Sequence, residues 1–268
     1  MADPYEFEGI EWDGNGYFGV PRISPKDRGP ETQSDEPWYH WVVAFSRATR
    51  GDFAAVAPLL NLRANVFDPV LRQLFYFLFG DACPASAITE LKSDLEDEDD
   101  TETVLLAANA LATVGRLADV PAILEAYKRC ADEEDAQVLP LFIRDVLGTG
   151  CPRPEGLPMD KFEKEVLATC EDLTQSFGTN SVFLFQGERL NVVRVAQHVL
   201  AATGQPAFRS LYRRKFEAMT GIDCSQFYKS KVFQPMTAAM IVESFLEGPE
   251  VAQYQDGVRY FFGHRIPD

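Results

Sequence analysis

Apolar residues return at helical spacing ahead of a series of glycines. Val70-Leu71 stand ten and nine positions before Gly80, Leu105-Leu106 before Gly115, and Val138-Leu139 before Gly148. The residue just before each glycine is also apolar, namely Phe79, Val114 and Leu147. This spacing predicts a helix that ends at a glycine in each case. Gly51, preceded by Trp41-Val42 and Phe45, is a weaker fourth member. A second helix is predicted between the first ones: 84–95, carrying Ile88, Leu91 and Leu95, and 120–130, carrying Ile123, Leu124 and Tyr127. Start signals agree, because Asp68-Pro69 places a cap before a first-turn proline, Asp119 can cap the helix at Val120, and Thr101-Glu102 opens the helix ending at Val114. Helical pairs that recur every 35 and 33 residues cannot bury their apolar faces alone. The expectation is a mainly α protein, a short right-handed α-solenoid of helical hairpins.

The run from Gly148 to Pro158 interrupts this pattern, since its glycines and prolines forbid a continuous helix. The chain therefore divides into an extended cap over 1–37, helical repeats over 38–148, a linker over 149–158 and degenerate repeats over 159–268. In the last part helices are predicted over 160–177, 188–203, 206–220 and 235–247, with Gly178, Gly204, Gly221 and Gly248 as stops. Ser181 to Phe185 and Val258 to Phe262, the latter after an Asp256-Gly257 turn signal, read as strands, and residues 7–21 have hairpin character.

Composition narrows the function. With 268 residues, 46% hydrophobic and 12% aromatic, the chain can bury a sizeable core, while 41 acidic against 25 basic residues leave a net charge of -16. A carboxylate surplus repels phosphate backbones and anionic lipid, so neither nucleic acid nor membrane is an expected partner. The longest uncharged apolar run, Thr103 to Gly115, falls short of the ~18 to 20 residues of a bilayer span. The acidic opening residues do not read as a secretory signal, which makes the cytoplasm the expected compartment. Cys83, Cys130, Cys151, Cys170 and Cys224 have no close spacing and read as reduced, buried thiols.

Residues 1–150 hold 27 acidic and 12 basic side chains, whereas 151–268 hold 14 and 13. Two runs concentrate the surplus: Asp94, Glu96, Asp97, Glu98, Asp99 and Asp100, and then Asp132, Glu133, Glu134 and Asp135. Both fall in connections between successive hairpins. Stacked at the ~8 to 10 Å of helix packing, they should form one acidic ridge, read either as solvated loops or as a docking surface for a basic partner. The first run lacks the mid-loop glycine and final glutamate of a calcium loop.

Signatures of catalysis are sparse. Gly14-Asn15-Gly16-Tyr17-Phe18-Gly19 matches G-x-G-x-x-G but precedes Val20-Pro21 instead of a helix, so it reads as a turn. His40, His198 and His264 are isolated, no catalytic residue, metal ligand or cofactor is assigned, and a triad assembled from distant residues stays open. The basic cluster Arg209, Arg213, Arg214 and Lys215 reads as a polar helix face that offsets the acidic half.

The stacked hairpins and glycine stops resemble HEAT-like α-solenoid proteins over Trp38 to Gly148, and more loosely to Glu247. The closing Val258-Arg259-Tyr260-Phe261-Phe262-Gly263-His264-Arg265-Ile266-Pro267 resembles the ending of bacterial HEAT-like proteins encoded beside polymorphic toxins, a group that includes immunity proteins. The resemblance implies a non-catalytic inhibitor that binds a cognate basic toxin domain. The acidic ridge, and secondarily the Tyr260 to Phe262 tail, are candidate contacts. HEAT-like scaffolds for host complexes, and an enzyme acting in the concave groove, remain open alternatives.

Overall fold

The start signals at Asp68-Pro69 and Thr101 hold in the computed structural model, which describes residues 37–96, 100–130, 135–154, 156–204, 210–229 and 232–268. After α1 (Pro37–Ala48) and three short 3-10 turns, α2 (Pro69–Ala82) begins where the Asp68 carboxylate accepts from Val70 N and Leu71 N. There follow α3 (Ala85–Ile88), α4 (Thr101–Val114), α5 (Val120–Arg129), α6 (Leu139–Leu147) and α7 (Met159–Phe177). The later part comprises β1 (Leu184–Phe185), β2 (Glu188–Arg189), α8 (Val192–Thr203), α9 (Ser210–Thr220), β3 (Tyr228–Lys229), β4 (Val232–Phe233), α10 (Pro235–Glu247), β5 (Tyr260–Phe261) and β6 (His264–Arg265). The described residues are mainly helical, with three short antiparallel strand pairs among them, β1–β2, β3–β4 and β5–β6.

α2, α4 and α6 lie side by side, with α5 behind α6 and α7 against α5. Their interior is one apolar core, to which Phe261 and Ile266 from the far end of the chain also belong. A second core joins α8, α9 and α10 through Val195, Val199, Phe216, Val242 and Phe245. Tyr260 belongs to that second core and Phe261 to the first, so adjacent residues of β5 tie the two together. The aromatic tail is thus core, with Tyr260 and Phe261 both buried.

Several sequence expectations need correction. Gly80 does not stop α2, which runs on to Ala82. A Cβ there would meet Thr113 Cβ at 2.9 Å and the Ala110 carbonyl oxygen at 3.0 Å, so this glycine serves the close approach of α4. Gly115 does end α4, in the left-handed conformation at φ 77°. The expected helix over 84–95 breaks into α3 and two 3-10 turns. The helix expected from Glu188 begins at Val192, capped by Asn191, because Glu188–Arg189 pair with β1 as a strand. Asp119 makes no cap; it is buried and held by Arg116 and Lys92. The β3–β4 hairpin was absent from the sequence reading. Residues 7–21 and the Gly14 to Gly19 turn lie outside the described residues.

The carbonyl ends of α2, α4 and α6 are completed by chain from far downstream. Leu184 N donates to Gly115 O at 2.7 Å, and Gln186 N and Gly187 N donate to Asp145 O and Val146 O, both at 2.8 Å. At α2 the cause lies in the sequence. Pro84 has no N–H to offer the Gly80 carbonyl, and Arg259 supplies the missing donor at 2.9 Å. Arg259 also donates to Cys83 O, and Asp268 accepts from Ala85 N. One edge of the three helices is therefore closed by protein.

Candidate functional site

The opposite edge carries the helix starts, where carboxylates are favoured by the N-terminal dipoles. Asp100 caps α4, accepting from Thr103 N and Thr103 Oγ1, and these bonds hold its carboxyl below the usual range. Arg72, in the first turns of α2, pairs with Asp100 at 3.1 Å and with Glu102. Asp94 accepts a two-pronged bond from Arg63 at 2.7 and 2.8 Å and a third bond from the Tyr76 hydroxyl at 2.7 Å. Leu95 is buried, and its carbonyl accepts from Arg129. The described part of the first acidic run is thus anchored: Asp94 and Asp100 hold the fold, while Glu96 and, just beyond the run, Glu102 with its Arg72 partner are exposed. Asp97, Glu98, Asp99, Asp132, Glu133 and Glu134 lie outside the described residues, and Asp135 opens a 3-10 turn before α6.

Phe67, the residue just before the Asp68 cap of α2, is 88% exposed. The sequence reading passed over it, although a signal was present. Phe67 occupies the position before a helix cap that normally packs on the fourth helical residue, and here that residue is Arg72, which turns to Asp100 and Glu102. Without an apolar partner the ring stays in water.

A second cluster is buried where α9 meets α2 and α4. Arg213, Arg214 and Lys215 are all buried, which corrects the expectation of a polar surface face; Arg209 lies outside the described residues. Lys215 Nζ donates at 2.6 Å to the carbonyl of Thr113, in the last turn of α4, where the helix dipole favours a cation. Arg214 donates to Thr113 Oγ1 at 2.7 Å, lies 4.0 Å over the Phe77 ring and stands 3.7 Å from Asp81. Burial draws the Lys215 ammonium down to about 8, opposed by Asp81, and pushes the Asp81 carboxyl up against the pull of Arg214, Lys215 and Arg259. The adjoining cavity, lined by Asn109, Thr113, Asp145, Phe185 and Lys215, measures about 10 Å³, room for about one water. The arrangement locks helices together and leaves no space for a metabolite. Its sequence signal was Asp81 and Asp145 inside otherwise apolar helices, with their cationic partners more than sixty residues away.

On the other side of α9, Glu217 accepts from Cys224 N at 3.0 Å and faces Arg213 at 3.4 Å, and burial pushes its carboxyl up to about 7. Between the ordinary carboxylate value and about 7 the unfolded chain is ionised here while the folded chain holds the proton. Stability from this group is therefore present at low pH and lost as pH rises through that window. Glu217→Gln keeps an acceptor for Cys224 N and has no charge to bury. We expect its stability relative to the parent to be near zero at pH about 5 and to rise by on the order of 2–3 kcal/mol by pH about 8. Urea titrations across that range check this, and a difference that does not change with pH would refute it.

The histidines pack against rings or backbone: His40 on Tyr39, His198 between Phe185 and Tyr212, and His264 over Gly51. All five cysteines are buried, and none forms a disulfide. Among the described residues, no three His, Cys, Asp or Glu side chains converge as a metal site, and no helix is long and apolar enough to cross a membrane. No protein-family model, no curated protein and no solved structure matches this chain.

Proposed function

We propose that this chain is a non-catalytic protein-binding module, a short right-handed solenoid of HEAT-like hairpins that acts in the cytoplasm as an immunity protein against a basic toxin domain. The observation that carries the proposal is Phe67, an aromatic ring 88% exposed just ahead of the cap of α2, where Arg72 in the first turns of α2 reaches Glu102 at the start of α4. An aromatic anchor within a charged rim is the usual anatomy of a recognition surface. Carboxylates at such a rim set encounter rate and partner choice more than affinity. The side-by-side row of α2, α4 and α6, and an α7 that turns Lys161, Lys164, Glu171 and Asp172 to solvent, suit a stack of hairpins with a polar last member.

The test is capture from the native strain with this chain as bait, followed by expression of the captured protein alone and together with this chain. A single basic protein, toxic alone and harmless in company, is the expected result. Phe67→Ala should weaken that complex by about 2 kcal/mol or more, mainly through faster dissociation. Glu96→Gln with Glu102→Gln should slow association at low salt and leave dissociation nearly unchanged. Capture of no toxic partner, or a complex indifferent to Phe67, would overturn the reading.

A further inference from the structure

The outer face of α10 bears an apolar patch with opposite charges at its two ends, and we propose that it is the contact surface between two copies of this chain. α10 buries Ala238, Val242 and Phe245 against α8 and turns Met236 and Met240, one turn apart, to the outside, where they are 75% and 65% exposed. Val232, 62% exposed, extends the patch onto β4. Three such side chains leave on the order of a few hundred Å² of apolar surface in water, the size at which a patch on a monomer usually serves a contact.

The charges select the occupant. Lys229 is the cross-strand partner of Val232, so the two side chains lie next to each other on one side of the hairpin. Beyond Met240, at helical spacing on the same stripe of α10, stand the exposed Glu243 and Glu247. The surface thus reads base, apolar, acid along its length. A second copy laid antiparallel on it about a two-fold axis sets the methionines of each copy against those of the other. It also brings Lys229 of each copy toward Glu243 and Glu247 of its mate. Such self-complementarity is what an isologous contact requires. A basic partner would be drawn instead to the N-terminal half, which carries nearly all of the surplus charge, whereas residues 151–268 hold 14 acidic and 13 basic side chains and so barely repel their own copy.

Sedimentation equilibrium up to about 200 µM protein, at about 0.15 M salt so that remote like charges are screened, tests this. The parent should show a concentration-dependent dimer. Met240→Glu should raise its dissociation constant at least tenfold, and Lys229→Glu should raise it severalfold. Adding Glu247→Lys to Lys229→Glu should restore the dimer, because the same pair then forms with its signs exchanged. All three positions are exposed, so an unchanged circular dichroism spectrum and melting temperature will show that the fold persists. A parent that stays monomeric, a dimer insensitive to Met240→Glu, or a charge reversal that Glu247→Lys does not rescue would overturn the proposal.

Discussion

Replacing Arg259 by alanine should cost about 3–5 kcal/mol of stability, close to the largest effect any single residue of this chain can have. The guanidinium is almost fully buried, donates to Gly80 O at 2.9 Å and Cys83 O at 2.9 Å, and pairs with Asp268 at 3.0 Å. Neither carbonyl has a backbone alternative. A helix would answer Gly80 O with the N–H of residue 84, which is a proline, and the N–H of Ala87 already donates to Pro84 O. Alanine leaves two carbonyls without a donor, each at a cost of about 1–3 kcal/mol, and takes from the Asp268 carboxylate its cation, leaving it the Ala85 N–H alone. Arg259→Lys restores the charge but cannot span both carbonyls and the carboxylate with the planar fork, so it should recover only part of the loss. Thermal unfolding reads this as a fall in midpoint of roughly 10 °C, at about 2–4 °C per kcal/mol for chains of this size. A change of less than about 1 kcal/mol would show that β5–β6 does not hold the end of α2.

Asp81→Ala is the second large effect, also expected at about 3–5 kcal/mol, because it leaves the buried cations Arg214 and Lys215 without their nearest carboxylate on α2. What matters is the imbalance of charge more than the loss of a contact. Asp81→Leu combined with Lys215→Met removes one charge of each sign and should therefore be much less damaging than the sum of the two single changes. A double-mutant cycle in urea should return a coupling of about 1–3 kcal/mol between the two positions. Additive single effects would mean that the two charges do not depend on each other, and the cluster would then be a set of independent burials.

These two predictions concern residues that the sequence alone did not single out, and the reason is physical. Asp81 and Arg259 lie in different parts of the chain, and each reads as an ordinary charged side chain until its partner is known. Arg214 and Lys215 show the same limit. Three consecutive basic residues on a helix suggest a solvated face, and only the arrival of Thr113, Phe77 and Asp81 from the first half of the chain makes that face interior. The acidic runs were visible as charge, yet the bonds that fix Asp94 and Asp100 come from Arg63, Tyr76 and Arg72 on neighbouring elements.

What the sequence by itself determined was local. Asp68-Pro69 started α2, Gly115 ended α4, Val120 and Pro235 opened their helices, and the cysteines were buried, because capping, backbone freedom and side-chain hydropathy act over a few residues. What only the tertiary structure decided was everything that depends on a partner distant in sequence. Gly80 became a place of close approach because α4 lies against it, and Glu188–Arg189 became a strand because Leu184–Phe185 lay alongside. The carbonyl ends of three helices were answered by residues 184–187 and 259, and Phe67, just ahead of α2, was left exposed. Hydrogen-bond demand is written locally in every helix end, but its satisfaction is a matter of which distant segment the packing brings within about 3 Å.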